Sequence, residues 1–479
     1  MAVARIRFLE SGEEDLIDQQ SIECLETIGV KVKSELVLHL LKDAGADVDG
    51  KTQVVKMPEG MVREALANVP KDIVLHGRDS KHDMRIPVSS WPYVGTSGLA
   101  TYIIDLETGE KRDSTVSDIA DCVKVADALS GVDYVQTSLT ATEVPRQTHG
   151  IHELWTALQN TTKHVQGIEI FDAEDARMQV ELGALVAGGK DELDKKPHFT
   201  VIHCSIAPLM FEHDAVEAMV EFARAGVPIT TMTMSLSGGT APVTLAGTLV
   251  NANAENLASF VIGQAARKGA RTIYCSSSTP VSMTTGMIHY QSANQPLIAA
   301  GLAQMARRYG IPCMVGDWGL NDTDVPGFPH TFSETMGIAL STMSGTDMMG
   351  GVGSLDNAKG MALEQEVIDS YVWENVRMQM TPFEISKTTA ALDVIREVGH
   401  GNTFLTHIHT ARNFKKEAIQ RSADRGRFEA TLSNAMVAEA KDIAAKLLKE
   451  HEVPPLEQAL IRQGNELIRT YEKERTDRT

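Results

Sequence analysis

Hydrophobic residues in the first 70 positions recur at the spacing of amphipathic helices. The stretch EEDLIDQQSIECLETIGV, residues 13–30, places its apolar residues near a 3.6-residue period and stops at Gly29. The stretch SELVLHLLKDAG has similar spacing and stops at Gly45. A third stretch opens at Pro58 and ends at Pro70. We therefore expect three short helices at the start of the chain.

Between residues 92 and 112 the pattern changes to that of β-strands. In YVGTSGLATYIIDLETGEKR, β-forming residues stand on both sides of Glu107-Thr108-Gly109, a sequence typical of a hairpin turn. We expect a two-stranded arm here. The following residues, 115–129, have the pattern of an amphipathic helix, for which Ser117 and Asp118 are candidate capping residues.

Beyond residue 130, short β-rich runs alternate with longer helical stretches. The β-rich runs are VDYVQTSL, HVQGIEIF, HFTVIHCS, VPITTMTM, RTIYCSSS, IPCMVGDWG, TDMMGGVG and NTFLTHI. Eight strands separated by helices favour a (β/α)₈ barrel, an α/β fold, over an open doubly wound sheet, which is the alternative. Several runs end in small or polar residues, as expected where the carboxyl ends of barrel strands open onto a shared site.

These patterns divide the chain into three parts. Residues 1–130 are predicted to form N-terminal helices and the β-hairpin arm, and residues 131–428 the (β/α)₈ barrel. Residues 429–479 are predicted to form a C-terminal helical extension, broken at Pro454-Pro455 and highly charged. The charge pattern of this extension is typical of a solvated helix with a frayed end.

Composition narrows the class of protein. A chain of 479 residues exceeds the usual limit of a single small core, and its 43% hydrophobic content is that of a globular protein. The net charge of −19 argues against nucleic acid and anionic membrane partners. The N-terminal residues lack the apolar stretch of a signal peptide, so we expect a cytoplasmic location. Five cysteines without a CxxC pair indicate neither a disulfide framework nor a cysteine-based zinc site.

An unusual concentration of aromatic residues follows the sixth predicted strand. Residues 316–336, GDWGLNDTDVPGFPHTFSETM, contain Trp318, Phe328, His330 and Phe332, in a chain with only 5% aromatic residues. This density is typical either of a hydrophobic cluster under a long loop or of an aromatic box, which binds quaternary ammonium groups. Other aromatic residues at or near predicted turns that can complete such a box are Tyr93, Phe211 and Tyr290.

Two histidines separated by one residue, His407 and His409, raise an alternative function. Such a pair on a strand can bind a metal ion in a barrel lyase or hydrolase. The pair usually lies on the first barrel strand, however, whereas here it lies at and after the end of the last predicted strand. A structural or substrate-facing role is therefore favoured, and no protein-bound metal is expected.

Six segments, in order, resemble the trimethylamine methyltransferase family of corrinoid-dependent enzymes. They are HGRDSKHDMRI (76–86), YVGTSGLATYIIDLETGEKR (93–112), TAPVTLAGTLVNANAE (240–255), LAQMARRYGIPC (302–313), LDVIREVG (392–399) and FLTHIHTARNFKKE (404–417). The founding members carry pyrrolysine, whereas this chain has only the twenty standard residues. It therefore resembles the branch without pyrrolysine, whose characterised members demethylate glycine betaine, proline betaine and carnitine.

The resemblance implies transfer of a methyl group from a quaternary amine, with glycine betaine the first candidate, to cob(I)alamin carried by a separate corrinoid protein. The leaving group is a neutral amine, so positioning dominates the chemistry and neither an acid nor a metal is required of the barrel. We expect the aromatic residues to enclose the methyl groups and His330 or Arg146 to bind a carboxylate. Asp317 and Glu334 can offset the cationic charge. A homo-oligomer is expected, and a non-catalytic betaine-binding protein is disfavoured because an uptake receptor needs an export signal.

Overall fold

Eight parallel strands form a closed barrel in the computed structural model, which describes residues 5–290, 292–317, 323–327, 337–416 and 434–476. In chain order the barrel strands are β1 Tyr93–Thr96, β2 Tyr134–Gln136, β3 His164–Gly167, β4 Phe199–Cys204, β5 Ile229–Thr233, β6 Thr272–Ser276, β7 Cys313–Asp317 and β8 Met348–Val352. Each strand pairs with its neighbours in sequence, and β8 pairs with β1 to close the barrel. The predicted (β/α)₈ barrel is confirmed.

Helices surround the barrel and extend from it. They are α1 Ser11–Thr27, α2 Glu35–Asp43, α3 Glu59–Asn68, α4 Val116–Ala128, α5 His149–Asn160, α6 Ala173–Ala187, α7 Lys190–Lys195, α8 His213–Ala225, α9 Leu245–Ala266, α10 Gln295–Tyr309, α11 with described residues 337–344, α12 Leu363–Gln379, α13 Leu392–Val398, α14 Ile408–Phe414, α15 Asn434–Glu450 and α16 Gln458–Thr476. None of them, over the residues described, is long and apolar enough to cross a membrane.

Several of these helices begin where the side chains can cap them. Ser34 accepts a hydrogen bond from the Val37 amide at the start of α2, and Thr115 forms a reciprocal capping box with Asp118 at α4. At the other end, α6 and α8 stop at Gly188 and Gly226, whose φ values of 90° and 78° are left-handed. The local sequence thus fixes where the crossover helices begin and end.

A short β-hairpin closes the amino end of the barrel. Its strands, Ile73–Leu75 and Met84–Ile86, pair antiparallel and bury their apolar side chains. These side chains form one cluster with barrel-interior residues that include Tyr134, Ile273 and Met348. Because apolar packing fills this end, open space inside the barrel is confined to the carboxyl ends of the strands.

The N-terminal helices pack against a small mixed sheet that the sequence pattern did not predict. Its strands are ordered Met210–Phe211, Val30–Val32, Val54–Lys56 and Asp47–Asp49. The three predicted helices are present as α1, α2 and α3. The predicted hairpin arm is also present, with Tyr102–Ile104 antiparallel to Lys111–Asp113.

One predicted strand was wrong, and another barrel strand came from the arm. The run NTFLTHI contains a turn followed by the start of α14, so residues 402–408 are not the eighth strand. The missing strand is β1, which pairs with both β8 and β2. Strand β1 is short and lies next to the hairpin of residues 102–113 in the sequence. The pattern of residues 93–112 therefore predicts a single two-stranded arm and does not separate β1 from it. The proposed boundary at residue 130 therefore falls after the first barrel strand.

The C-terminal helices are packed on the barrel and are not a solvated tail. Residues 451–457, around the two prolines, separate α15 from α16 as expected. However, α16 buries Ile468 and Tyr471, and Arg475 forms an ion pair with Asp172 at 2.6 Å. The sequence pattern did not predict this packing, because the apolar stripe of α16 is narrow and most of the helix surface is charged.

The contact between α16 and α5 provides a test of this packing. A Cβ atom at Gly464 would overlap the ring of Trp155, whereas a Cβ at Gly60 on α3 would meet nothing within 4 Å. We expect Gly464→Ala to lower the free energy of unfolding by about 1–3 kcal/mol through steric overlap. Gly60→Ala should raise it by up to about 1 kcal/mol, because alanine favours helix. Thermal denaturation of both variants measures this, and equal melting temperatures would contradict the packing of α16.

Candidate active site

A cavity of about 860 Å³ opens at the carboxyl ends of the barrel strands. Strand ends and the loops that follow them supply its walls. The described lining residues are Ser97, Gly98, Leu99, Gln136, Ile168, Ile202, Met232, Met234, Ser277, Ser282, Thr285, Met287, Ile288, His289, Tyr290, Met314, Gly350, Gly351, Asp356, Asn357, Ala358 and Lys359. This position and size are those of a small-molecule site in a (β/α)₈ barrel.

Hydrogen bonds between barrel side chains form the floor of the cavity. Gln136 Nε2 donates to Gln166 Oε1 at 3.0 Å, and Gln166 Nε2 donates to Thr230 Oγ1 at 3.0 Å. All three side chains are buried, and they belong to β2, β3 and β5, so the second bond passes across β4 inside the barrel. The chain of amides fixes the orientation of Gln136, which is the one of the three that lines the cavity.

The lower wall is apolar and rich in sulfur. Met232 and Met314 project inward from β5 and β7, and Met234 and Met287 come from the loops above. Ile168 and Ile202 complete this surface on the side of β3 and β4. Methionine sulfur is polarizable and its side chain adapts to irregular shapes, so this wall suits a methylated group better than a strongly hydrated one.

A left-handed turn forms one side of the mouth. Asp356, Asn357 and Ala358 have φ values of 49°, 55° and 64°, three consecutive non-glycine residues in the left-handed region. The turn joins the paired strands Ser354–Leu355 and Gly360–Met361. Such a conformation costs roughly 1–2 kcal/mol at Ala358, so the surrounding structure must hold it.

Backbone hydrogen bonds hold this turn in place. The Asp356 amide donates to the Thr323 carbonyl at 2.8 Å, which links the turn to the described part of the loop after β7. The Lys359 carbonyl accepts from the amides of Thr101 and Tyr102, at 2.9 and 3.3 Å. The turn is therefore fixed on both sides of its strained residues.

The two charged side chains among the described cavity residues pair with each other. Lys359 Nζ lies 2.8 Å from Asp356 Oδ1, and the Tyr102 hydroxyl donates to Asp356 Oδ2 at 3.2 Å. Burial raises the pKa of Tyr102, and the neighbouring carboxylates of Asp356 and Asp324 raise it further, so the hydroxyl remains a donor. The described part of the mouth thus carries one cation and one anion side by side.

The described residues contain no group of three or more histidine, cysteine, aspartate or glutamate side chains that could hold a metal ion. What this part of the cavity offers is an apolar wall, amide and hydroxyl groups, and one ion pair. It can bind and orient a small molecule that has a methylated part and a charged part.

Comparison with known proteins assigns this barrel to a family. A family model described as trimethylamine methyltransferase (MTTB) matches residues 2–476. The chain belongs to the trimethylamine methyltransferase family. Like the other members of the family it is an enzyme that transfers methyl groups.

Curated relatives of the family match most of the chain. Two proteins named trimethylamine methyltransferase MttB, from Desulfitobacterium hafniense (strain DSM 10664 / DCB-2) and Methanosarcina barkeri (strain Fusaro / DSM 804), are each 30% identical to it. The alignments cover 92% and 98% of this chain, and 88% and 96% of the relatives. A glycine betaine methyltransferase from Desulfitobacterium hafniense (strain Y51) is 28% identical, over 86% of this chain and 85% of the relative.

A solved structure supports the fold of this family member. The hydroxylamine complex of MtmB matches with a TM-score of 0.51 and 14% identity, covering 92% of this chain and 93% of that one. At this identity the likeness concerns the barrel architecture alone.

Three residues predicted for the site lie outside the cavity. Tyr93 is the first residue of β1, at the amino end of the barrel, where its hydroxyl accepts a hydrogen bond from the Arg85 amide. Phe211 is buried outside the barrel wall and stacks on His203, with ring centroids 6.1 Å apart. Arg146 is exposed, in a 3₁₀ turn within the connection that follows β2. Proximity to a turn, which suggested Tyr93 and Phe211, does not specify which end or face of the barrel the turn serves, and the positive charge that suggested Arg146 does not specify its position.

The other predicted site residues fall where the structure is not described. Trp318, Phe328, His330, Phe332 and Glu334 lie outside the described residues, as does the side chain of Asp317. The backbone of Asp317 ends β7 and pairs with Gly350, a cavity residue. The loop that carries these residues therefore starts at the mouth. Tyr290, also named as a candidate aromatic residue, lines the cavity.

The two histidines of the alternative function do not lie on a strand. His407 caps α14, where its Nδ1 accepts from the His409 amide at 3.1 Å and its Nε2 lies 3.0 Å from Glu397 Oε2. His407 therefore acts as a helix cap with a carboxylate partner. Neither histidine is among the described residues of the cavity, and the comparisons give no support to a metal-dependent lyase or hydrolase.

The floor glycine Gly350 provides a test of the cavity. A Cβ atom there would overlap Gln136 Nε2 and lie 3.1 Å from Met314 Cε, so the amide would have to leave its hydrogen bond with Gln166. We expect Gly350→Ala to reduce kcat/KM for the methyl donor by roughly tenfold or more, because the floor loses its fixed geometry.

Gly167, on the outward face of β3, is the matched control. An added Cβ there has ordinary contacts, the nearest at 3.5 Å from Gln179 Oε1. Gly167→Ala should keep near-native kcat/KM and melting temperature. If both variants retained full activity, the floor of this cavity would not be part of the site.

Proposed function

We propose that this protein transfers a methyl group from a quaternary amine, glycine betaine first, to a cobalamin carried by a separate corrinoid protein. The observation that carries the proposal is the cavity itself, in which the described residues form an apolar, methionine-rich wall below a lysine–aspartate pair. Membership of the family supports the methyl transfer, and the glycine betaine methyltransferase among the relatives supports the substrate.

The wall and the ion pair match the two ends of a betaine. The methyl groups of a quaternary ammonium spread its charge and are weakly hydrated, so contact with Met232, Met234 and Met314 loses little solvation energy. The carboxylate at the other end needs a cationic or hydrogen-bonding partner, and Lys359 is the candidate at the mouth.

Breaking the carbon–nitrogen bond of a quaternary amine does not require an acid or a base from the protein. The bonding electron pair stays on nitrogen, the charge of the ammonium disappears, and the tertiary amine leaves as a neutral molecule. A reduced corrinoid supplies the nucleophile that accepts the methyl group. The task of the barrel is to hold the methyl carbon in line and to exclude water, which is catalysis by positioning.

The cavity fits an acceptor presented from outside. The hairpin Ile73–Ile86 closes the amino end, so both the amine and the acceptor must arrive at the carboxyl face. On this proposal Trp318, Phe328, His330 and Phe332, which follow β7 in the sequence, take part in binding the amine. Asp317 and Glu334 would lie near the ammonium. The contact between Thr323 and the Asp356 turn supports that placement.

The direct test measures methyl transfer to a corrinoid. The purified protein is mixed with free cob(I)alamin or a reduced corrinoid protein and, in separate reactions, with glycine betaine, proline betaine, carnitine or trimethylamine. We expect glycine betaine to deplete the cob(I)alamin absorbance and to yield one dimethylglycine for each methyl group transferred.

Each alternative substrate gives its own result in this assay. Turnover of proline betaine or carnitine in place of glycine betaine keeps the reaction and changes the substrate. Turnover of trimethylamine alone would contradict a quaternary amine substrate. If none of the four depleted the cob(I)alamin absorbance, the proposed reaction would be wrong.

Lys359→Met tests the carboxylate partner. We expect the KM for glycine betaine to rise at least roughly tenfold, on the order of 1.4 kcal/mol, because the substrate carboxylate loses its cationic partner and the charge of Asp356 is no longer balanced by Lys359. The kcat should change less, and Lys359→Arg should restore most of the affinity.

A nearby lysine provides the control for this variant. Lys111 Nζ stacks 3.5 Å over the Tyr102 ring and is not among the cavity residues described, so Lys111→Met should keep a native KM. An unchanged KM in Lys359→Met would remove Lys359 from substrate binding and leave the proposed reaction standing.

A further inference from the structure

The side-chain amide of Gln136 presents an oxygen atom to the cavity. Its nitrogen is engaged, because Nε2 donates to Gln166 Oε1 and Gln166 Nε2 donates onward to Thr230 Oγ1, both at 3.0 Å. No described residue donates a hydrogen bond to Gln136 Oε1, although the residue is only 4% exposed. Protein atoms do not enclose this oxygen either, and Gln136 lines the cavity. The open side of the oxygen therefore faces the cavity.

Two glycines of the cavity leave this amide uncovered. A Cβ atom at Gly98, which follows β1, would lie 3.2 Å from Gln136 Oε1. A Cβ atom at Gly350, on β8, would overlap Gln136 Nε2. Tyr134, two residues earlier on β2, belongs to the apolar cluster that fills the amino end of the barrel. The amide thus lies directly above the apolar filling, with open space on its other side.

Apolar side chains flank the amide. The Cβ at Gly98 would also overlap Ile168 Cδ1, and the Cβ at Gly350 would lie 3.1 Å from Met314 Cε. Among the described lining residues, the carboxylate is that of Asp356 at the mouth, where it pairs with Lys359. An oxygen dipole in apolar surroundings acts on a nearby charge more strongly than it would in water. The described floor therefore attracts positive charge without carrying a negative one.

A neutral oxygen suits a cation that must lose its charge during the reaction. A quaternary ammonium has no N–H group, and its methyl hydrogens make weak contacts with oxygen atoms. When the carbon–nitrogen bond breaks, the electron pair stays on nitrogen and the positive charge of the amine disappears. A carboxylate at the floor would stabilise the cationic substrate more than the transition state, which slows the reaction. An amide oxygen recognises the cation with less of this penalty.

We propose that Gln136 Oε1 is the contact at the floor that recognises the cationic end of the amine, and that Gln166 and Thr230 position it. The inference rests on the function proposed above, because it takes the ligand to be a quaternary amine. It makes Gln136 a residue that determines specificity for the cation, while the carboxylate of the substrate is bound at the rim.

Two ligands of nearly equal shape test this contact without methyl transfer. They are glycine betaine and the tert-butylacetate anion, in which a neutral carbon replaces the ammonium nitrogen. Isothermal titration calorimetry gives the Kd of both ligands for each variant. We expect the unmodified protein to prefer glycine betaine. This preference should fall at least roughly fivefold in Gln136→Leu, which removes the oxygen and keeps an apolar side chain of similar size.

Gln136→Glu should change binding and turnover in opposite directions. A carboxylate at the floor should lower the Kd for glycine betaine at least roughly fivefold, through the added charge. It should lower kcat by roughly tenfold, because the cationic ground state gains more than the transition state. Burial raises the pKa of a carboxyl group, so the gain in affinity should grow as the pH rises. Mere damage to the floor would not give tighter binding with slower turnover.

Gln159→Glu provides the matched control. Gln159 is half-buried on α5, where its Nε2 donates to the Trp155 carbonyl, and it is not among the described residues of the cavity. The same change of charge there should leave both Kd values and kcat unchanged. Circular dichroism shows that each variant is folded. If Gln136→Leu does not fold, Gln136→Glu still tests the contact, because its carboxylate can bond Gln166.

The outcomes separate this contact from the reaction. An unchanged ligand preference in Gln136→Leu, or weaker binding of glycine betaine by Gln136→Glu, would overturn the role of Gln136. If the unmodified protein still demethylated glycine betaine, the proposed function would stand. Failure of the unmodified protein to bind or demethylate any quaternary amine would instead contradict the proposed function, and this inference with it.

Discussion

The hairpin of residues 73–86 closes one end of the barrel, and this constraint decides where the protein can bind a ligand. An eight-stranded barrel has two ends, and its interior is wide enough for side chains only. Here apolar residues of the hairpin, together with Tyr134 and Met348, fill the amino half. The interior can therefore hold a ligand only where the strands end, and the connections that follow β1, β3, β5, β6 and β8 contribute lining residues to that opening.

The buried polar side chains near this opening bond mainly to one another. Gln136, Gln166 and Thr230 form a chain of hydrogen bonds, so the cavity presents few polar atoms that need a ligand. Among the described lining residues, charge is confined to Asp356 and Lys359 at the mouth, where water can reach them. This arrangement of an uncharged floor beneath a charged rim matches the two ends of the proposed zwitterionic substrate.

The sequence predicted much of the fold because its signals are local. Helices α1 to α3, the hairpin around Gly109 and seven of the eight barrel strands follow from periodicity and turn residues. Strand β1 was missed because four residues beside a stronger hairpin signal do not define an element. The site was harder to predict from the sequence. Gln136 and Lys359 are far apart in the chain, and they come together only because the barrel closes and a distant hairpin reaches its mouth. Period-2 alternation along VDYVQTSL could have marked Gln136 as inward-facing, but no sequence signal announces the left-handed turn before Lys359.

That turn has a consequence for how tightly a small ligand can be held. A lysine on a flexible loop loses backbone and side-chain freedom on contact with a carboxylate, and this loss opposes binding. Here the three left-handed residues before Lys359, fixed to Thr323, Thr101 and Tyr102, restrict the backbone before any ligand arrives. This part of the ordering entropy is lost when the chain folds and not when a ligand binds, so a contact between Lys359 and the proposed carboxylate would be opposed by a smaller entropy loss.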